Sequence, residues 1–254
     1  MWASSEPLGL TGRLDEQAKL LEHALAEMRA VAAPYEVGCL GEICVNAAAR
    51  GDYVHAREVA EEAIAAARAS GRRMDRWKAA YALTISLLAS GDAGALAAAE
   101  EALLLAREIG GPGALAEAAH VASHARQASG DLEGARAVLE ETFAQLDPAK
   151  MTVQRDAITR LETRRAEVAL ARGDVETART SATTAVRIAP KPHVETRAEA
   201  LLALASVAVI EKKRADAQTL IREAVALLTP SGYRDLRERA ERIAEGLAAT
   251  SKAS

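Results

Sequence analysis

Apolar residues recur at three- and four-residue spacing through most of the chain, in blocks separated by short breaks that carry glycine or proline. That period predicts helices and no sheet. The blocks fall into pairs. First helices are expected at about 35–50, 74–90, 114–129, 152–172 and 194–211, and second helices at 13–30, 52–69, 92–109, 131–146, 174–189 and 214–228. A final block, SGYRDLRERAERIAEGL, puts Tyr233, Leu236, Ala240, Ile243 and Leu247 on one face and Arg234, Arg237, Glu238, Glu241, Arg242 and Glu245 on the other. One apolar and one charged face suits a helix that ends a stack.

The blocks also repeat one another. ARGDYVHAREVAEEAI at 49–64 returns as ARGDVETARTSATTAV at 171–186, identical at eight of sixteen positions. Glycine marks the turn inside each pair at Gly12, Gly51, Gly91, Gly130 and Gly173, with Lys212 in the sixth place, at intervals of 39, 40, 39, 43 and 39 residues. Seven residues before this anchor the side chain is always small: Ser5, Cys44, Thr84, Ser123, Ala166 and Ala205. Ala56, Ala135, Ala178 and Ala217 stand five residues after it, and Ala24, Ala63, Ala185 and Ala224 twelve after. Small residues let two helix backbones approach, while Leu20, Val59, Val138, Leu139, Leu220 and Ile221 fill the space between. Pro34, Pro112, Pro148, Pro190 and Pro230 stand where second helices are expected to stop.

This order of small residue, turn glycine, two alanines and terminal proline resembles the tetratricopeptide repeat over nearly the whole chain. The resemblance implies an all-α fold, a right-handed solenoid of antiparallel helix pairs with a C-terminal capping helix. It implies one array over residues 1–254: a half-unit at 1–33, full units at about 34–73, 74–112, 113–150, 151–192 and 193–230, and a cap at 231–248. The chain departs from the family in its period, near 40 instead of about 34, as in the helical arrays of many bacterial signalling regulators. Gln17 and Thr142 replace alanines, the unit at Gly91 is one residue short, and the large aromatics of the family's first helix are missing.

Two anchors lie in Arg50-Gly51-Asp52 and Arg172-Gly173-Asp174, a tripeptide that invites an adhesion reading. A glycine that ends one helix in the left-handed region, followed by an aspartate that opens the next, accounts for both without it.

Composition agrees with closely packed helices. Half of the 254 residues are apolar and only 3% aromatic, which favours alanine-rich helix contacts over sheet. The net charge of −4 is spread in mixed sign along the chain, and argues against nucleic acid as a direct partner. Cys39 and Cys44, five apart on one helix, point roughly 140° away from each other and form neither a disulfide framework nor a CxxC site. With no apolar stretch near the roughly 18 residues of a membrane span and no signal pattern, a cytoplasmic location without a membrane partner is expected.

Motifs for chemistry are missing: the sequence has no GxxxxGK[ST], no GxGxxG after a strand, no HExxH and no GxSxG. No catalytic, cofactor-binding or metal-binding residue is assigned. Glu117, His120, His124 and Gln127 share one face of a first helix. Two histidines one turn apart could take a metal with Glu117, but no second helix supplies the remaining ligand, and a polar stripe for partner contact is the simpler reading. Arg160, Thr163, Arg164 and Glu167 line the next first helix, where arginine could clamp a carboxylate or phosphate. Charge pairs on a solvated face are the plainer alternative. Lys78, Tyr81 and Glu199 complete the candidate contacts on the concave face. Trp77, one turn from Tyr81, reads more simply as helix packing than as a ligand platform. The basic turn Lys212-Lys213-Arg214 lacks interleaved aromatics and reads as surface. Arg126 and Arg165 stand where the repeat calls for apolar residues.

The resemblance implies a non-enzymatic scaffold that binds a peptide or protein along the concave face of the first helices. A second reading is the sensor portion of a larger bacterial regulator whose effector domain lies outside these residues. A third, an enzyme on a helical solenoid, lacks any grouping of nucleophile and base. The first second-helix, GRLDEQAKLLEHAL, has only MWASSEPLGLT as a partner, interrupted by Pro7. An open N-terminal face is therefore expected, as the tail of a longer array, the sequel to an upstream domain, or a surface for self-association.

Overall fold

A computed structural model describes residues 5–146 and 155–250, side chains being described to Leu247, with thirteen helices and no strand among them. In chain order these are α1 (Glu6–Leu10), α2 (Leu14–Ala30), α3 (Glu36–Ala49), α4 (Tyr53–Ser70), α5 (Arg73–Ser90), α6 (Ala95–Ile109), α7 (Pro112–Ala128), α8 (Leu132–Gln145), α9 (Arg155–Ala171), α10 (Val175–Ile188), α11 (Val194–Ile210), α12 (Arg214–Leu228) and α13 (Arg234–Thr250). Each expected helix is present. Pro148 and residues 152–154 of the expected fourth first helix lie outside the described residues, as do the first four residues of the N-terminal stub. Among the described residues no helix is long and apolar enough to cross a membrane.

The turn anchors behave as their spacing predicts. Gly12, Gly51, Gly91, Gly130 and Gly173 all have positive φ, between +68° and +86°, and Lys212 in the sixth place takes the same left-handed conformation at +59°. Glycine enters that region without a steric penalty and lysine does not. The aspartate of each Arg-Gly-Asp then caps the next helix: Asp52 Oδ1 accepts from the His55 N–H at 3.2 Å and Asp174 Oδ1 from the Thr177 N–H at 3.1 Å. Such a bond satisfies one of the unpaired amides at a helix start. The tripeptide is therefore a helix-turn-helix hinge in both copies.

Small residues at the crossings are buried throughout, from Ser5, Cys44 and Thr84 to Ala166 and Ala205 before the turns, and from Ala56 and Ala63 to Ala217 and Ala224 after them. The short unit at Gly91 keeps the scheme one residue early, with Ala95 and Ala102 buried in its place. There Asp92 Oδ1 accepts from the Gly94 N–H at 2.7 Å, a side-chain turn that delays α6 to Ala95. Gln17, which stands for an alanine, is 6% exposed. Its Oε1 accepts from Asn46 Nδ2 at 2.9 Å, and Asn46 also donates to the Leu14 carbonyl at 2.9 Å. One buried polar side chain on α2 is thus answered by another on α3. Pro112 departs from its expected role. Instead of stopping α6, which ends at Gly110 with φ +73°, it opens α7 in the first turn, where a missing N–H costs nothing.

The helices cluster into two compact units: Met1–Gly9 with Arg13–Val138, and Leu10–Gly12 with Leu139–Ser254. In the first, consecutive helices from α2 to α7 pack on each other, and α3 touches α5 as α5 touches α7. In the second, consecutive helices from α9 to α13 do the same, with α9 on α11 and α11 on α13. First helices therefore lie side by side within each unit and share one face.

Both cysteines of α3 are free and buried. Cys39 Sγ donates to the Leu21 carbonyl at 3.5 Å and Cys44 Sγ to the Ala82 carbonyl at 3.3 Å. Burial pushes the two thiols up to about 11 and about 12.

Two substitutions test this account. Lys212→Gly is expected to raise the unfolding free energy by about 0.5–1 kcal/mol, the relief of left-handed strain exceeding glycine's larger chain entropy. Urea unfolding reads the difference, and a loss of stability would show that the lysine side chain holds the turn. Asn46→Ala leaves Gln17 and the Leu14 carbonyl without their donor and is expected to cost about 1–3 kcal/mol.

Candidate functional site

Candidate residues gather on the first-helix faces of both units, in different states. On α9 the charged side chains Arg160, Arg164 and Glu167 follow at four- and three-residue intervals, the spacing that stacks side chains along one helical stripe. On α11, Glu195 and Glu199 are one turn apart. Because α9 and α11 pack together, the two stripes meet. Arg160 Nη2 bonds Glu195 Oε2 at 2.6 Å, and Arg164 Nη1 bonds Glu167 Oε2 at 2.5 Å. The other oxygen of Glu167 takes Nη2 of Arg239, which α13 supplies. Glu167 so holds two guanidiniums, one on each carboxylate oxygen. Beside this network the His193 Nδ1 and the Asp156 carboxylate form a further pair.

Glu199 is the exception. Its Oε2 is buried and meets no hydrogen-bond partner. Burial, followed by the charge of Glu195, pushes its carboxyl up to about 7, against the pull of Arg160 and Arg164. Arg164, 6% exposed, likewise keeps its Nε buried without a partner, and so does the hydroxyl of Thr163. Arg239 shows the opposite balance. Although burial works against its charge, Glu167 and the more distant Glu199 hold it above the usual arginine range. Tyr233, just ahead of α13, is buried, and its hydroxyl is held well above the usual phenol range, first by that burial and then by Glu195.

In the first unit, α5 carries Lys78 and Tyr81 and α7 carries Glu117, His120, His124 and Gln127. Lys78, Tyr81, Glu117, His124 and Gln127 are half-buried, while His120 is 7% exposed and sits within the helix layer. Gln127 Oε1 is buried without a hydrogen-bond partner. Among the described residues no three histidine, cysteine, aspartate or glutamate side chains are grouped to hold a metal. Trp77 is buried, with its ring centroid 6.0 Å from that of Tyr81 and a tilt of 32°, a packing contact between side chains of one helix.

The two arginines at apolar positions have local explanations. Arg126 forks its guanidinium between Glu100 on α6 and Asp131 at 2.8 Å, just before α8. Arg165 lies over the Phe143 ring at 5.3 Å from its centroid. Lys213 of the basic turn pairs with Glu211 at 2.9 Å.

The structure brings Arg160, Arg164, Glu167 and Glu199 together and keeps Lys78, Tyr81, Glu117, His124 and Gln127 on adjoining helices of the other unit. It adds Asp156, His193, Glu195 and Arg239, none of which stood out in the sequence, and Tyr233, which the sequence marked only as part of an apolar face. Arg239 gave one sign: it lies three residues after Leu236 and four before Ile243, at the edge of the apolar stripe of α13.

No protein-family model matches the chain, and no curated protein does. Solved structures do. A kinesin light chain-like protein of Podosopora anserina with nearly identical TPR-like repeats is 20% identical, with a TM-score of 0.54 over 76% of this chain and 95% of that one. BtubC (BKLC) from P. vanneervenii is 15% identical, with a TM-score of 0.61 over 85% and 91%. A Rap protein complexed with Competence and Sporulation Factor is 14% identical, with a TM-score of 0.56 over 95% and 73%. At these identities the likeness establishes a fold, that of TPR-like helical repeats.

The ion network yields two expected outcomes. Glu167→Gln removes the shared partner of two largely buried guanidiniums and is expected to cost about 3–5 kcal/mol, measured by chemical unfolding. For Glu199 the folded carboxyl titrates near 7 against an ordinary 4.5, so the folded state retains the proton the longer. This contribution is fully present below pH 4.5 and is lost as pH rises through 7. Wild-type stability is expected to fall from pH 5 to pH 8 by up to about 3 kcal/mol on this account, and Glu199→Gln to remove that slope.

Proposed function

We propose that this TPR-like chain, read as one repeat array, is a non-enzymatic scaffold in the cytoplasm that binds a peptide or protein segment along its first-helix face. The observation that carries the reading is the half-buried polar surface of α5 and α7. Lys78 and Tyr81 stand there beside Glu117, His124 and Gln127, and the Gln127 side-chain oxygen is withdrawn from water with no hydrogen bond in return. A buried acceptor left open is costly, and a bound segment that turned the half-buried Gln127 side chain toward its own backbone N–H would relieve it. The corresponding stripe on α9 and α11 is engaged differently, since Arg160, Arg164 and Glu167 already bond within the chain. First contact with a partner is assigned to α5 and α7 on the strength of the open Gln127 acceptor.

The fold shared with a Rap protein solved in complex with Competence and Sporulation Factor supports a peptide-sized ligand, by analogy of fold. The same match and the repeat interval near 40 residues favour a second reading, in which the array is the sensor portion of a larger bacterial signalling regulator. The two unbridged cysteines support a reducing compartment.

A pull-down from cell extract, comparing wild type with Glu117→Lys and Gln127→Leu, tests the assignment. A partner held by the wild type and lost by both folded variants is the expected result. An identical partner set in all three would move binding away from this face. A helix-turn-helix encoded upstream in the same reading frame would decide for the regulator.

A further inference from the structure

The apolar side of α13 rests on α11 and α12 through the buried residues Leu236, Ala240 and Leu247. Its Arg239 reaches past α11 to Glu167 on α9. Glu199 of α11, its Oε2 buried and unbonded, lies near enough for its charge to act on both Arg239 and Tyr233. We propose that Glu199 makes the docking of α13 proton-dependent: the helix stays seated while this carboxyl is protonated and lifts when it ionises, admitting water to the carboxylate. The inference goes beyond partner binding, since α13 has no part in that reading.

The surroundings of Glu199 leave an ionised carboxylate no better remedy. From α9 it faces Arg160, Arg164 and Glu167, from α11 itself Glu195, and from α13 and the residue ahead of it Arg239 and Tyr233. Arg160 is already bonded to Glu195, and Arg164 and Arg239 to Glu167. The helices α10 and α12, which also pack on α11, direct charged groups elsewhere, Arg179 to Glu176 and Glu211, and Glu223 to Arg197 at 2.6 Å. Glu199 Oε2 is left buried and unbonded. A neutral carboxyl tolerates that position, whereas a carboxylate pays the loss of hydration. Burial outweighs the attraction of the arginines, which is why the carboxyl titrates near 7 instead of at its ordinary 4.5.

Proton linkage fixes the size of the effect. If Glu199 regains its ordinary acidity once α13 has lifted, the seated state loses about tenfold against the lifted one between pH 6 and pH 8. Amide hydrogen exchange of the full chain, corrected for the intrinsic rate at each pH, reads this directly over residues 234–247. The expected result is a tenfold fall in protection of α13 in the wild type and none in Glu199→Gln. His193→Asn, which removes the ionisable partner of Asp156, is expected to keep the fall. An undiminished fall in Glu199→Gln would overturn the proposal, as would its loss in His193→Asn or its absence from the wild type. Equal losses in α9, α11 and α13 would overturn it as well, because the carboxyl would then open only with the whole unit.

Discussion

Two helices can lie nearly backbone to backbone only where neither places bulk at the crossing. Every unit of this chain meets that constraint with a small residue before the turn, and most with alanines after it. The turn itself must be tight enough to bring those positions level, which requires one left-handed residue between the helices. Helix lengths, the interval near 40 residues and the identity of the turn residue all follow from holding that register. A methyl group buries little area, so no single crossing is worth much. Stability accumulates because each unit covers the apolar face of the next within its cluster, the economy of repeat proteins.

The features that this constraint dictates were legible in the sequence, because they recur. Lys212 was recognisable as a turn residue with no glycine to mark it, solely from its interval, and it adopts the left-handed conformation that its place demands. The short unit at Gly91 kept its alanines one residue early for the same reason. What does not recur was harder to see. Gln17 showed only as a replacement for an alanine, since its partner Asn46 stands 29 residues away on another helix. Pro112 read as a stop because a proline after a helix and a proline before one look alike in a string of letters, and only the Gly110 turn separates them.

The polar residues divide along the same line. Arg160, Arg164, Glu167 and Glu199 were visible as charge at regular helical spacing, whereas the bonds they make depend on helices α11 and α13 lying against α9. In the α9 stripe, for which charge pairs were the plainer reading, Arg160, Arg164 and Glu167 bond within the chain, Glu167 to a residue 72 positions away, Arg239. Pairing of this kind adds less than its bond count suggests, because desolvation offsets attraction. On α5 and α7 the polar side chains are half-buried, and the Gln127 oxygen is buried without a hydrogen-bond partner.

The two thiols of α3 carry a consequence of their own. With burial raising Cys39 to about 11, only about one molecule in ten thousand would present a thiolate at neutral pH, and Cys44 fewer still. Alkylating reagents and peroxide, which react with the nucleophilic thiolate, find little of it in the folded helices. Modification of either cysteine is therefore expected to wait until α3 parts from its neighbours, so that the rate of labelling would count those openings.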